Sequence, residues 1–175
     1  MKKYTADELL EAREKRVDLI GKLLKNYNAP LLVMRVNYPG LEKTNKVTIS
    51  IIEVMRPLIC TILSDRVCGK LLLLRGAEGP MFYAAVNEDV LDLKTLAIDV
   101  EEKHPLGRCL DLDVYDLEGH SLSRQRLGYP RRECYLCNDD AHNCVRAGRH
   151  KEHEVIGYIE EKYRKYRESM YGREH

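Results

Sequence analysis

Residues 104–114 read HPLGRCLDLDV, a glycine-containing turn followed by the alternating pattern of a β-strand. Successive side chains of a strand point to opposite faces, so Asp111 and Asp113 leave the same face with Cα atoms about 6–7 Å apart. Two carboxylates at that spacing can share one cation, and Mg²⁺ usually takes one or two carboxylates together with water and phosphate oxygens. A solvated strand face with two exposed acids has the same spacing, so this pair alone leaves both interpretations open.

The turn before the strand carries groups that suit a phosphate-bearing ligand. Gly107 allows the backbone to approach a ligand closely, and the planar guanidinium of Arg108 matches phosphate oxygens bidentately. A glycine-containing turn that leads into a D-x-D strand resembles the arrangement of polymerase-β-type nucleotidyltransferases, in which the turn holds the leaving phosphates and the aspartates hold Mg²⁺. We therefore predict a nucleotidyltransferase-like site with Asp111 and Asp113 as magnesium ligands.

Helical and strand patterns alternate around this stretch. The first predicted elements are a helix over 6–26 that begins at the capping box Thr5-x-x-Glu8, a strand over 30–38, and a helix over 44–66 in which Pro57 marks either a kink or a first turn. A hairpin of strands 71–74 and 82–86 follows in the middle of the sheet, and then a helix or strand over 92–103. The last elements are strands over 110–115 and 121–127 and a helix over 154–171, with Val155, Ile159, Tyr166 and Met170 along one stripe. This order predicts one α+β domain over residues 1–175, with helices packed on a mixed, mostly antiparallel sheet.

The composition is that of a globular protein without a strong charge excess. The 175 residues include 29 basic and 28 acidic side chains, a formal net charge of +1, and 44% are hydrophobic. Proteins that hold nucleic acid or anionic membranes through phosphates need a large excess of lysine and arginine. No uninterrupted apolar run approaches the ~20 residues that span a bilayer, and the first residues turn acidic and helical, unlike a signal peptide. We expect a cytoplasmic protein that binds neither nucleic acid nor membrane.

Charge is uneven along the chain. Residues 85–120 carry three basic and ten acidic side chains, a balance of −7, whereas residues 121–151 carry seven basic and three acidic ones, a balance of +4. If the second segment folds onto the first, a group of arginines faces a group of carboxylates. The two groups would then either form a site or neutralise each other on a solvated surface.

Four strings of residues together resemble one enzyme family. They are HPLGRCLDLDV (104–114), Ser123-Arg124, RRECYLC (131–137) and CVRAGRH (144–150). In their order and spacing the sequence is similar to the apo-citrate lyase phosphoribosyl-dephospho-CoA transferases, the holo-acyl-carrier-protein synthases of citrate lyase. The chain departs from the family pattern where Cys109-Leu110 replaces a bulky or aromatic residue. It departs again where Glu133 separates the basic pair from the first cysteine, so that Arg132 carries over cleanly and Arg131 does not.

The resemblance implies a transfer reaction. Such enzymes move the 2′-(5″-phosphoribosyl)-3′-dephospho-CoA group from its 5″-triphosphate precursor, triphosphoribosyl-dephospho-CoA, onto a serine of the citrate lyase acyl carrier protein, and release pyrophosphate. Asp111 and Asp113 are then expected to hold Mg²⁺. Arg108, Arg124 and Arg132 are expected to grip the leaving pyrophosphate, because guanidinium matches phosphate bidentately.

The remaining roles in this reaction are assigned less directly. Gly107 and His104 in the turn are predicted substrate-binding residues. Asp99 and Glu101 are alternative candidates for the general base or a third metal carboxylate, since they precede the turn by a few residues. His104 is a further alternative for the base, because its ring titrates near neutral pH.

The C-terminal half contains a cysteine pattern with two interpretations. Cys134, Cys137, Cys144 and His150 have the ligand types of a structural Cys₃His zinc site, which closes a tetrahedron with four ligands. The spacing of the second pair differs from common zinc fingers, which favours small buried thiols that pack a helix over about 139–148 against the sheet. Structural Zn²⁺ is the alternative.

Two other functions fit the same residues. The first is a non-catalytic, cysteine-rich adaptor that binds a protein partner, with Asp111 and Asp113 merely exposed. The second is a nucleotidyltransferase that modifies a different carrier protein, such as that of malonate decarboxylase. The adaptor requires neither aspartate. The other nucleotidyltransferase differs from the citrate lyase enzyme only in its acceptor.

Overall fold

The computed structural model describes residues 2–171, in which helices surround one sheet. In chain order the elements are α1 (Ala6–Tyr27), β1 (Leu31–Val36), α2 (Lys46–Leu63), β2 (Val67–Gly76), β3 (Gly79–Val86), α3 (Val90–Lys103), β4 (Leu110–Tyr115), α4 (Ala141–Arg146) and α5 (Glu152–Tyr171). Five helices and a four-stranded antiparallel sheet in this part of the chain confirm the α+β class. The predicted domain of residues 1–175 includes residue 1 and residues 172–175, which lie outside the described part.

The sheet has the order β2-β3-β1-β4, and every neighbouring pair is antiparallel. The predicted hairpin of β2 and β3 is confirmed, but its predicted place in the middle of the sheet is wrong for β2, which lies at an edge. The reason is that β1 pairs with both β3 and β4 and so becomes the internal strand. All eight residues of β3 are buried, whereas Lys70 and Arg75 of β2 are exposed.

Alternate residues of the sheet build two apolar layers. Leu32 and Met34 of β1 pack with α2 and α3 on one face, and Leu31 and Val33 pack with α1 on the other face. Burial of an aliphatic side chain contributes roughly 1.5–3 kcal/mol, so these layers fix the register of the sheet. Arg35 follows Val33 on the α1 face, where the apolar layer ends.

The two long helices at the N-terminal end begin at capping boxes. The box predicted for α1 is confirmed, with Thr5 and Glu8 bonded reciprocally, and α2 begins at a second box formed by Asn45 and Thr48. Each box satisfies two backbone N–H groups that the first turn leaves unpaired. Pro57 lies inside α2, so its alternative placement in a first turn is wrong.

Helix α2 is strongly apolar. The segment Lys46–Arg66 has a mean hydropathy of 1.7 over its best window, and within residues 2–171 it is the one helix long and apolar enough to cross a membrane by length and composition. Its residues Ile51, Ile52, Met55 and Ile59 are buried in the layer against the sheet. Core helices of globular domains can have this composition, and 33% of that window is buried inside the protein.

In three further segments the structure either differs from the prediction or shows which of two predicted alternatives is correct. Residues 92–103 are helical, as part of α3. The strand predicted over 121–127 is wrong, because the chain pairs with β4 only at the Tyr115–Ser121 bridge and then forms a 3-10 turn, Arg124–Leu127. The stripe predicted for α5 ends early, since Ile159 is buried but Met170 is 51% exposed.

Candidate active site

Strands β1 and β4 bring the predicted carboxylates beside an arginine. Asp111 is the cross-strand partner of Arg35, and Asp113 is the partner of Val33. Arg35 donates from Nε and Nη2 to Asp111 Oδ2 at 3.0 and 2.6 Å, and its Nη2 lies 3.6 Å from Asp113 Oδ2. Both carboxylates therefore leave the same face of β4, as their spacing predicted, and both approach one guanidinium.

A buried glutamate extends this charged group along the sheet. Glu78, in the loop between β2 and β3, is buried. Its carboxylate oxygens lie 2.8 Å from Arg16 Nε and 3.9 Å from Arg35 Nη1, and Arg16 donates to the Tyr115 hydroxyl at 3.3 Å. Because a buried charge is costly unless it is paired, α1 and the hairpin loop supply charges that hold Arg35 beside the aspartates.

The surroundings of Asp113 disfavour its charged form. Burial raises the pKa of Asp113, and the Asp111 carboxylate raises it further, although Arg35 and Lys94 oppose the shift. Burial also acts against the charge of Arg35, but the attraction of Asp111 and Asp113 outweighs it and raises the pKa of Arg35. Arg35 is thus the cation in contact with both carboxylates, and Lys94 adds positive charge near Asp113.

Helix α3 satisfies the outward backbone groups of the edge strand β4. The N–H of Leu112 donates to Glu101 Oε1 at 2.8 Å, and the carbonyl of Leu112 accepts from Lys94 Nζ at 3.0 Å. Lys94 and Glu101 are themselves buried, and burial lowers the pKa of Lys94. Since an open edge invites pairing with another strand, these two side chains close the edge and hold α3 against the strand that carries the aspartates.

Glu101 also gathers two of the predicted arginines. Arg124 lies 2.8 Å from Glu101 Oε2 and 3.2 Å from Glu102 Oε1. Arg132 contacts Glu101 Oε1 through Nη2 and donates from Nη1 to the Leu110 carbonyl at 2.8 Å. This cluster confirms that arginines of the basic segment face carboxylates of the acidic segment.

A cavity of about 500 Å³ brings four of the predicted residues together. Asp111, Asp113, Arg124 and Arg132 line it, and so does the buried Lys94. This open cleft therefore offers carboxylate oxygens for a cation and guanidinium groups for phosphate oxygens side by side.

Arg108 lies in an adjoining cavity of about 550 Å³, which shares Arg124 and Arg132 with the first. Its Nη2 donates to the Glu133 carbonyl at 2.6 Å, and its guanidinium lies 5.4 Å from the centre of the Tyr135 ring. The structure thus places Arg108 beside the same two arginines but not on the aspartate pair itself.

Gly107 is required by packing inside the protein. A Cβ at this position would lie 2.3 Å from the Val100 carbonyl oxygen and 2.5 Å from that of Glu101. The backbone of α3 fills the space that the glycine leaves, so the close approach predicted for a ligand is made by a helix.

His104 and Asp99 line a separate cavity. His104 Nδ1 accepts the N–H of Leu106 at 3.1 Å, and burial lowers the pKa of its ring. Asp99 pairs with Lys103 at 2.8 Å. Of the alternative bases, Glu101 is the one that lines the aspartate cavity, and its oxygens contact two arginines and a backbone N–H.

Two residues at the site, Arg35 and Lys94, were not identified from the sequence. Arg35 interrupts the apolar strand LLVMRV over 31–36, and Lys94 follows the core residue Leu93 in α3. A charged side chain within an apolar run signals a buried partner. That signal was present at both positions.

The cysteine pattern forms a compact cluster. One ligand atom from each of Cys134, Cys137, Cys144 and His150 lies within 4.8 Å of all the others. Cys144 is buried, on a helix shorter than predicted, Ala141–Arg146, and the other three residues are half-buried. The four residues singled out by spacing therefore meet in space.

The aspartate pair fits the ligand preference of Mg²⁺. Asp111 and Asp113 offer the hard oxygen atoms that this ion prefers, and its remaining positions are normally filled by water and phosphate oxygens. Within residues 2–171, no third histidine, cysteine or acidic ligand is grouped with the pair. The third metal carboxylate that the sequence left open between Asp99 and Glu101 is therefore not assembled there.

Comparison with known proteins identifies the family. The family model "Apo-citrate lyase phosphoribosyl-dephospho-CoA transferase" matches residues 4–166. A protein of Vibrio cholerae serotype O1 (strain M66-2), named a probable apo-citrate lyase phosphoribosyl-dephospho-CoA transferase, is 36% identical over 158 residues, 89% of each chain. A relative of the same name from Streptococcus pyogenes serotype M3 (strain ATCC BAA-595 / MGAS315) is 35% identical over 153 residues, 85% of this chain and 79% of its own. The chain belongs to the apo-citrate lyase phosphoribosyl-dephospho-CoA transferase family, as its four strings of residues predicted.

Proposed function

We propose that this protein transfers the 2′-(5″-phosphoribosyl)-3′-dephospho-CoA group from its 5″-triphosphate precursor to a serine of apo citrate lyase acyl carrier protein, with release of pyrophosphate. The observation that carries the proposal is the cavity lined by Asp111, Asp113, Arg124 and Arg132. The names of the relatives, probable apo-citrate lyase phosphoribosyl-dephospho-CoA transferases, support the transferred group and the acceptor.

The chemistry of such a transfer suits the charges in the cavity. The serine oxygen forms a bond to the α-phosphorus, the bond from that phosphorus to the pyrophosphate oxygen breaks, and the serine proton is released. Negative charge grows on the leaving pyrophosphate, so positioning and charge stabilisation dominate catalysis. Arg124 and Arg132 can bind that charge because Glu101 holds both guanidinium groups at the cavity wall. Arg108 extends the cationic wall into the adjoining cavity.

Asp111 and Asp113 are the residues that would hold Mg²⁺. When bound, the ion would neutralise charge on the triphosphate and help to align it. Arg35 balances part of the negative charge of the two aspartates from the neighbouring strand. We propose that this balance keeps the pair oriented for the ion, because a single guanidinium only partly offsets two carboxylates.

The two alternative functions have less support. An adaptor that binds a partner without catalysis would need neither the aspartate pair nor the arginines that share its cavity. A transferase for another carrier protein would keep the same cavity, and only the acceptor would differ. The relatives' names specify apo-citrate lyase, which favours that acceptor.

Mass spectrometry of the acceptor tests the proposal. Apo citrate lyase acyl carrier protein is incubated with this protein, the triphosphate precursor and Mg²⁺, and its mass is measured before and after. We expect a gain equal to one phosphoribosyl-dephospho-CoA group, located on a serine by peptide fragmentation. An acceptor of unchanged mass would contradict the proposal, and a gain on the malonate decarboxylase carrier alone would assign the protein to the other acceptor.

A further inference from the structure

We infer that Cys134, Cys137, Cys144 and His150 bind one structural zinc ion, which holds the segment of residues 128–150 in its fold. The four ligand atoms lie within 4.8 Å of one another. Three sulfur ligands and one imidazole nitrogen are a set that selects zinc over hard cations such as Mg²⁺. This site is separate from the aspartate cavity and uses none of its residues.

The distances between the ligand atoms suit a metal and are longer than a disulfide bond. Cys137 Sγ lies 3.4 Å from Cys144 Sγ and 3.3 Å from His150 Nε2. A disulfide requires a sulfur separation of about 2.05 Å, whereas zinc–sulfur bonds of about 2.3 Å in a tetrahedron place two sulfur atoms about 3.8 Å apart. All six cysteines of the chain, which lie within residues 2–171, are free.

The local backbone is folded so that each ligand points to one spot. The N–H of Cys134 donates to the Asp139 carbonyl at 2.7 Å, which closes a tight loop around Cys137. The N–H of Leu136 points at Cys134 Sγ at 3.5 Å, and such an N–H stabilises negative charge on a sulfur ligand. Helix α4, Ala141–Arg146, then carries Cys144 back to the same place.

A left-handed glycine returns the last ligand to the cluster. Gly148 has a φ of +55°, a conformation that favours glycine. The N–H of Arg149 donates to the Cys144 carbonyl at 3.1 Å, so the chain doubles back and His150 reaches Cys137. Arg149 also pairs with Asp139 at 2.7 Å and lies 4.0 Å from Cys137 Sγ.

The segment buries few apolar side chains, and Tyr135 is the one that packs against the main core. Of residues 128–150, all of which the structure describes, Cys144 is the one buried residue. Val145 in α4 is 79% exposed and Leu136 is 38% exposed. Small units without a hydrophobic core need a staple such as a metal ion. A metal ion would therefore add to the limited packing that the buried Cys144 provides.

The zinc-held segment carries residues of the candidate active site. Arg132 reaches Glu101 and the Leu110 carbonyl from a position two residues before the first ligand. Tyr135, between the first two ligands, donates to the Arg108 carbonyl at 2.9 Å and stacks on Tyr158 with ring centres 4.7 Å apart. The zinc ion would thus position Arg132 at the cavity, a consequence that rests on the proposed function, whereas zinc binding itself does not.

Metal analysis of the full-length protein tests the inference. The protein is purified under reducing conditions without chelator, and zinc is counted by inductively coupled plasma mass spectrometry. We expect one zinc ion per chain, and a fall to roughly half or less in His150→Ala and Cys144→Ser, because a structural site needs all four ligands. The matched controls are His153→Ala, an exposed histidine in the next helix, and Cys68→Ser, a half-buried cysteine of β2. Both control variants should keep one zinc ion per chain.

A cobalt spectrum of the unmodified chain keeps the test independent of the variants' folding. Replacement of zinc by Co²⁺ should give thiolate-to-cobalt charge-transfer absorption and the intense visible bands of tetrahedral coordination. Protein that contains no zinc and takes up neither Zn²⁺ nor Co²⁺ would overturn the inference, as would equal zinc loss in His150→Ala and His153→Ala. Since these readouts do not involve activity, their failure is distinguishable from failure of the transferase proposal.

Discussion

Arg35 and Asp111 face each other across the β1–β4 pair, with Arg35 Nη2 2.6 Å from Asp111 Oδ2. The same nitrogen lies 3.6 Å from Asp113 Oδ2. Opposite charges at directly opposed positions stabilise an antiparallel pair. The contact therefore joins an internal strand to the edge strand and sets the direction of both aspartates.

Arg35→Gln should lower stability and make it depend on Mg²⁺. Without the guanidinium, two partly buried carboxylates repel each other, and we expect a loss on the order of 1–3 kcal/mol. Millimolar Mg²⁺ should restore part of that loss, because a ligand that binds only the folded state stabilises it. Urea unfolding with and without Mg²⁺ measures both effects. An unchanged midpoint would contradict the role of Arg35. An equal Mg²⁺ effect in the variant with Asp111→Asn added would contradict Mg²⁺ binding by the aspartate pair.

Glu101→Gln and Arg132→Lys should not be additive. Glu101 holds Arg124, Arg132 and the Leu112 N–H together, so either change releases the same cluster. We expect each single variant to raise the KM for the triphosphate precursor roughly 10-fold, and the double variant to do little more. Steady-state kinetics of pyrophosphate release measure this coupling. Multiplicative effects would show that the two residues act separately.

Gly107→Ala should destabilise the fold instead of weakening substrate binding. The added Cβ would lie 2.3 Å from the Val100 carbonyl oxygen, and overpacking of this kind costs about 1–3 kcal/mol. Gly21→Ala is the matched control, since nothing lies within 4 Å of its added Cβ in α1. That change should stabilise the helix by about 0.5–1 kcal/mol. Chemical unfolding of both variants decides the matter, and a Gly107→Ala protein of normal stability with a raised KM would restore the predicted ligand role.

His104→Asn should reduce the acid sensitivity of folding. Burial lowers the pKa of His104 below its ordinary value of 6.5, so the unfolded chain binds more protons at mildly acidic pH. Stability from the neutral ring is therefore present above the unfolded pKa and is lost as the pH falls below it. We expect a smaller drop in stability between about pH 7.5 and about pH 5.5 in the variant. Substitution of the exposed His153 provides the control, and it should leave the drop in stability unchanged. An identical drop in His104→Asn and in the unmodified protein would refute the attribution of acid sensitivity to His104.

Local patterns were sufficient for most of the elements. The Thr5 capping box and the apolar spacing after it place α1 correctly, and alternation places β4. Strand order depends on contacts between distant segments, so the sequence could not show that β1 separates β3 from β4. The failed strand over 121–127 has a similar cause, because Arg124 turns away to meet Glu101 on α3.

The candidate site was also predicted only where its residues lie close together in the sequence. The aspartates share a face because strand periodicity is local, and four cysteine-pattern residues meet because they lie close in sequence. Arg35 lies 76 residues from Asp111 along the chain, and the packing of Gly107 on α3 requires the helix–turn geometry. Neither relationship can be read from a pattern within one segment.

The pyrophosphate release rate of Asp111→Asn tests the central claim most directly. Asparagine keeps the size of the side chain but removes its charge, so the fold should persist while the rate falls at least about 100-fold. Asp99→Asn is the matched control, because this carboxylate is half-buried, pairs with Lys103 and lines a different cavity. We expect Asp99→Asn to keep the original rate. An Asp111→Asn protein that is folded and releases pyrophosphate as fast as the Asp99→Asn protein would contradict the assignment of the aspartate pair to catalysis.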